Sequence, residues 1–196
     1  MRKSQRIRFH ISPGFLLTAA LLFYLDGTVI FWALGAAALH ELGHFLAICL
    51  LGGRVKSLRL TVVGAAMELD GGKPLSYFGE FMAALCGPAV SFLAAWCGAR
   101  LGLFLFAGLS LALGIFNLLP VKQLDGGRCL YALTAWWRGP EAGERALFFA
   151  GCLTISALLG AAVGVLKLYG NFTLLLMSLW LICGMLGEKQ REKVRI

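Results

Sequence analysis

The sequence predicts an all-α polytopic membrane protein of about six transmembrane helices, with a short β-hairpin or strand insertion between helices 2 and 3. Three observations predict it. The chain of 196 residues is 59% hydrophobic and 14% charged and has a mean hydropathy of +0.80, far more apolar surface than a soluble domain of this size needs. Its apolar residues gather into six runs separated by polar connections. Its basic residues lie at the ends of those runs and form no continuous stripe. A net charge of +8 therefore reports membrane topology rather than a nucleic-acid surface.

The first run, Ile11–Leu25, follows a basic segment as a signal peptide would. No small-residue cleavage site separates it from the next run, so it is expected to be a retained helix. The second run, Thr28–Leu51, is stopped by Gly52-Gly53. Val55, Leu58, Leu60, Val62 and Val63 then give a β-branched, partly alternating pattern over Arg54–Val63, with Gly64 and Gly71-Gly72 as turns. Such a strand could align an extended peptide along its edge. The third and fourth runs are Phe81–Ala99 and Leu101–Leu119, the latter ended by Pro120. Ala146–Leu166 and Phe172–Leu186 complete the set. Runs one and four are shorter than the roughly 20 residues of a straight crossing. Trp136-Trp137, with Tyr131 and Arg138, reads as an interfacial aromatic belt, and Glu68, Asp70 and Glu80 as solvated loop acids. One membrane domain over 1–196 is expected, with neither a PDZ nor a CBS domain.

Sixteen of the eighteen lysines and arginines fall on one side of this map. Arg2, Lys3, Arg6 and Arg8 precede the first run. Arg54, Lys56, Arg59 and Lys73 lie between runs two and three, and Lys122, Arg128, Arg138 and Arg145 between four and five. Lys189, Arg191, Lys193 and Arg195 follow run six, leaving Arg100 and Lys167 on the other side. By the positive-inside rule the basic side is cytosolic, and both termini share it.

Within the second run stands His40-Glu41-Leu42-Gly43-His44, an H-E-x-x-H pattern. Ionisable residues at membrane depth are costly and imply function. Two histidines four apart share one helix face and can reach one metal ion, the usual spacing of a zinc pair. Glu41 lies beside that face, placed to move a proton on a water rather than to bind metal. A third ligand is needed. His10 sits in the basic segment before run one and is a poor candidate. Asp125 is the better one, because Pro120 ends the preceding helix and Gly126-Gly127 lets the backbone turn tightly about the carboxylate. The six cysteines, Cys49, Cys86, Cys97, Cys129, Cys152 and Cys183, contain no C-x-x-C pair and read as packing residues. A polar cluster joining two helices would use cheaper residues than these. An ion pathway would need more polar groups than Ser91, Ser110, Ser156 and Ser178 provide.

His40–His44, Gly87-Pro88-Ala89-Val90-Ser91 and Asn117-Leu118-Leu119-Pro120 followed by Leu124-Asp125-Gly126-Gly127 resemble, in this order, the site-2 protease family of intramembrane zinc metalloproteases. The opening residues 7–17, the stretch Leu51–Leu60 and the six-run layout are similar to the stage IV sporulation protein FB branch. The resemblance implies one Zn2+ per chain held by His40, His44 and Asp125, Glu41 as catalytic acid/base, and Asn117 as a group holding substrate or the developing oxyanion. It further implies a membrane-associated protein substrate, a pro-sigma factor in the sporulation branch. Anti-sigma factors or signal-peptide remnants would be the substrates of a housekeeping branch, and inhibitory membrane partner proteins would restrain activity. A bacterial cell membrane, around the forespore in the sporulation branch, would be the setting. The chain departs from the pattern at Gln123, where the branch commonly has Pro, and at Ser91, where G-P-x-x-N has Asn.

Overall fold

A computed structural model describes residues 8–11, 24, 26–53, 55–61, 64–69 and 75–193. The expected first span falls almost wholly outside them. The described elements are β1 (Arg8–Ile11), α1 (Gly27–Leu50), β2 (Val55–Thr61), β3 (Gly64–Leu69), α2 (Tyr77–Arg100), α3 (Phe104–Asn117), α4 (Asp125–Arg138), α5 (Pro140–Tyr169) and α6 (Thr173–Lys193). They fall into two compact units, one up to Phe116 and one from Asn117.

In the first unit, α1 starts where Asp26 caps it, its carboxylate accepting from the Thr28 and Val29 amides at 3.0 and 3.1 Å. It ends at Leu51, with Gly52 at φ 79° reversing the chain. The expected hairpin is present: β2 and β3 pair antiparallel, Leu58 opposite Met67. A third strand was not expected. β1, read from sequence as a basic flank, pairs parallel to β2 with Arg8 opposite Ser57, giving the order β1-β2-β3. The α2 helix opens at Ser76, whose hydroxyl accepts from the Gly79 amide at 3.1 Å.

Helices α1 and α2 pack almost backbone to backbone. A Cβ added to Gly43 would stand 2.7 Å from the Cys86 carbonyl oxygen and 2.9 Å from Val90 Cγ2. Small residues allow that approach, the usual device where lipid offers no hydrophobic drive for helix association. At one end of this contact Ala47, Ile48 and Ala83 form a small core flanked by Val55, Leu75 and Cys86, which ties the hairpin to both helices. The α3 helix joins through Phe106, whose ring lies 5.6 Å from that of Trp32.

In the second unit, residues 118–124 lead into α4, an amphipathic helix with no counterpart in the expected runs. Gly139, at φ 87°, and Pro140 turn the chain into α5. Tyr131 and Ala135 pack on Gly143, where a Cβ would lie 3.0 Å from the Tyr131 ring. Trp136 and Trp137 at the end of α4 are exposed, as an interfacial belt requires.

Helices α1, α2 and α5 are each long and apolar enough to cross a membrane, whereas α3 and the apolar part of α6 are shorter. Their outward faces carry Phe31, Leu46, Trp96, Phe149 and Leu153. Large apolar side chains left exposed along helices of this length suit lipid better than water.

A candidate metal centre

The H-E-x-x-H spacing does what its period predicts. His40 and His44 lie one turn apart on the buried face of α1, 3% and 6% exposed, with ring centroids 4.8 Å apart. Their Nε2 atoms are 3.1 Å from each other. Two imidazoles bound tetrahedrally to zinc at about 2.0–2.1 Å would hold their nitrogens about 3.3 Å apart, so the pair is already near metal-binding separation.

Both rings are oriented from α2. His44 Nδ1 donates to the Ala83 carbonyl at 2.8 Å. A carbonyl can only accept, so the His44 proton sits on Nδ1 and its Nε2 presents a lone pair. Pro88 lies inside this helix and has no N–H for the Ala84 carbonyl, one residue on from the carbonyl that takes the imidazole. Gly87 completes the seat: a Cβ there would stand 2.2 Å from His44 Nε2. Only a glycine leaves room for the ring. His40 Nδ1 is hydrogen-bonded to Ser91 Oγ at 2.9 Å, and Ser91 is 1% exposed.

Asp125 is not on an irregular turn, as its Gly-Gly context suggested, but is the first residue of α4. It is 7% exposed. A helix start favours negative charge, and Arg128 one turn on approaches its carboxylate at 3.7 Å. The glycines that follow serve close approach: Cβ atoms on Gly126 and Gly127 would lie 2.0 and 2.1 Å from the Leu118 and Val121 carbonyl oxygens. The Pro120 loop thus folds directly onto the helix start.

His40, His44 and Asp125 are a group of buried ligand-type residues whose donor atoms all lie within 4.8 Å of one another. Two neutral imidazoles and one carboxylate suit zinc and leave a fourth position open. Glu41 is half-buried on α1, one residue past His40, and Asn117 is the half-buried last residue of α3. His10 lies exposed in β1, outside the group. The cysteines form no disulfide among the described residues. Burial, then the Asp125 charge, pushes the Cys129 thiol up to about 11, which keeps it a neutral thiol. Ser91 and the Ala83 carbonyl were not marked as functional by sequence. Of these two, only Ser91 left a trace, as the last position of the G-P-x-x-N pattern.

The chain is also similar to known proteins. Residues 94–159 match Peptidase family M50. This segment holds Asn117 and Asp125 but not the histidine pair. The chain is 31% identical over 140 residues to stage IV sporulation protein FB of Bacillus subtilis, covering 65% of this chain and 48% of that one. It is 27% identical over 214 residues to a zinc metalloprotease of Methanocaldococcus jannaschii, covering 97% and 59%. The chain thus spans about half the length of the curated relatives it matches. A solved site-2 protease from Methanocaldococcus jannaschii superposes with a TM-score of 0.67 at 23% identity, covering 92% of this chain and 90% of that one. The chain has the fold of that site-2 protease, and part of it is similar in sequence to Peptidase family M50.

Proposed function

We propose that the protein is an intramembrane zinc metalloprotease of the site-2 type, hydrolysing a peptide bond in or near a membrane-associated segment of its substrate. The observation that carries this reading is a buried His40–His44–Asp125 group whose histidines belong to a helix of membrane-spanning length. Relatives named as zinc metalloproteases support it.

In this reading His40, His44 and Asp125 hold one Zn2+. Bound there, zinc supplies Lewis acidity and brings a water near neutral pKa. Glu41 takes the water's proton as attack on the scissile carbonyl begins, and returns it to the leaving amine. Asn117 offers its carboxamide N–H to the oxyanion or to the substrate backbone. Ser91 and Ala83 hold the two imidazoles, and the close α1–α2 contact keeps lipid away from them. The β2–β3 hairpin supplies strand backbone for an extended substrate segment.

We further read six spans with both termini cytosolic, from the distribution of basic residues. The substrate is a membrane-tethered pro-sigma factor, cut near its cytosolic membrane boundary. The likeness to stage IV sporulation protein FB supports this choice. A housekeeping role on anti-sigma factors or signal-peptide remnants is the second reading, favoured by matches that extend to a relative not named for sporulation.

The test is Glu41→Gln on purified protein. Zinc content should stay near one per chain while cleavage of a co-expressed membrane-tethered pro-sigma factor falls by at least about 100-fold, the low end of general acid–base contributions. Turnover close to wild type would remove Glu41 from the acid/base role.

A further inference from the structure

The loop 118–124 that leads to Asp125 is pinned along most of its length. Val121 and Leu124 are buried, and their amides donate within the loop, to the Leu119 and Val121 carbonyls at 2.8 and 2.9 Å. Gly151 of α5 gives the Pro120 carbonyl room, since a Cβ there would lie 3.7 Å from its oxygen. Gly184 of α6 does the same for Gln123: a Cβ there would stand 2.5 Å from Nε2 and 3.0 Å from Cδ.

The Gln123 head gains little from this seat. Both its polar atoms, Oε1 and Nε2, are sealed from solvent and have no hydrogen-bond partner among the described residues. The residue as a whole is only half-buried, so its stem or backbone carries the exposed part while the polar end is turned in. That is the reverse of what an amphipathic side chain does on an ordinary surface. A carboxamide buried without partners costs free energy at both ends. Met, of similar length and apolar, would fill the place without that cost. Pro, which the sporulation branch commonly carries here, has no polar end at all.

The position of Gln123 indicates what would pair with it. It stands two residues before Asp125, across Leu124, whose backbone is extended at φ -107° and ψ 162°. Two extended residues span at most about 7 Å, and side chains two apart on extended backbone leave on the same side. Rotation about the side-chain bonds can thus bring the amide off Gly184 and alongside the Asp125 carboxylate. A carboxamide presents an acceptor and donors in one plane. A residue of extended chain presents an N–H and a C=O along one edge, the pair that antiparallel strands exchange. A cation would use only Oε1 and an anion only Nε2, so peptide backbone is the partner that satisfies both ends.

Resting on the proposed zinc-protease reading, we infer that Gln123 is a substrate-binding residue: its carboxamide, unpaired in the free protein, takes the N–H and C=O of one extended substrate residue beside the scissile bond. That substrate residue must carry an N–H, so proline is refused at that position.

The experiment uses the full chain in detergent, loaded with zinc. The probe is a fluorescent phosphinic pseudopeptide, whose phosphinate replaces the scissile bond and which carries two residues on either side. Analogues are N-methylated at one backbone amide each. Affinity is measured by fluorescence polarisation for wild type, Gln123→Met and Gln123→Leu, and thermal melts are recorded on the same preparations without probe. Both variants should melt about 2–4 °C higher than wild type, the usual response of a chain of this size to a small gain in stability. Both should bind the parent probe about 10-fold or more weakly, for the loss of two hydrogen bonds. One N-methylated analogue should lose a comparable factor against wild type and nothing further against the variants, a coupling that a packing role would not produce. Variants that melt no higher than wild type, or N-methyl penalties that are the same in all three proteins at every position, overturn the inference and leave the zinc centre standing. Failure of wild type to take zinc or to bind the parent probe overturns the protease reading, and the inference with it.

Discussion

His40 and His44 show how a short spacing rule delivers a site. Four residues on a helix place two imidazoles on one face, and that much was legible in five letters. What fixes the rings was not. Ser91 and the Ala83 carbonyl come from α2, and which residues of α2 stand opposite α1 depends on how the two helices cross, which no local period encodes. Asp125 was legible as a ligand type near two glycines, and it is buried. At this scale Asp125→Ala is expected to lower zinc affinity by more than about 100-fold, exceeding the cost of losing an outer partner alone, and activity should fall with it. Competition against a chelator and a cleavage assay on the same preparation check this. An unchanged affinity would leave the centre with another third ligand.

Elements were legible where hydrophobic length or strand alternation was strong, as in α1, α2, α5 and the β2–β3 hairpin. α4 was missed because Gly126-Gly127 at its start looks like a turn, while those glycines answer a need for close backbone approach. A signal was present in the spacing of Asp125, Cys129, Ala132 and Ala135, which form its buried stripe, and in the Gly139-Pro140 stop. The run expected over Leu101–Leu119 is helical only over Phe104–Asn117, because Gly102 at φ 76° delays its start and the Pro120 loop takes its end. The contact between α1 and α2 yields a sharper prediction. Gly87→Ala places a methyl 2.2 Å from His44 Nε2. The ring must move, so the variant should lose zinc binding and about 1–3 kcal/mol of stability, the usual cost of overpacking. Gly35→Ala, on α1 with nothing within 4 Å of the added carbon, should keep both. Thermal melts and metal analysis of the two variants side by side are the measurement. Zinc retained by Gly87→Ala would mean that the α1–α2 contact is looser than described.

For the whole molecule, composition points to a membrane environment and the placement of basic residues to an orientation. Three long helices with exposed apolar side chains agree with the first of these. The second makes its own prediction. Reporter fusions after Arg59, Arg138 and Lys193 should report the cytosolic side, and fusions at Arg100 and Lys167 the opposite one. A cytosolic signal at Arg100 would break the six-span reading. The sheet also carries a kinetic consequence. β2 and β3 are neighbours along the chain and can zip as a local hairpin, whereas β1 must find Ser57 from position 8, across a loop containing all of α1. Closing that loop has an entropic cost the hairpin does not share, so the parallel edge should be the last part of the sheet to assemble and the first to exchange its amides. On a ribosome the hairpin has to wait for α1 to be synthesised, and the amino-terminal strand, though made first, is the piece that docks late.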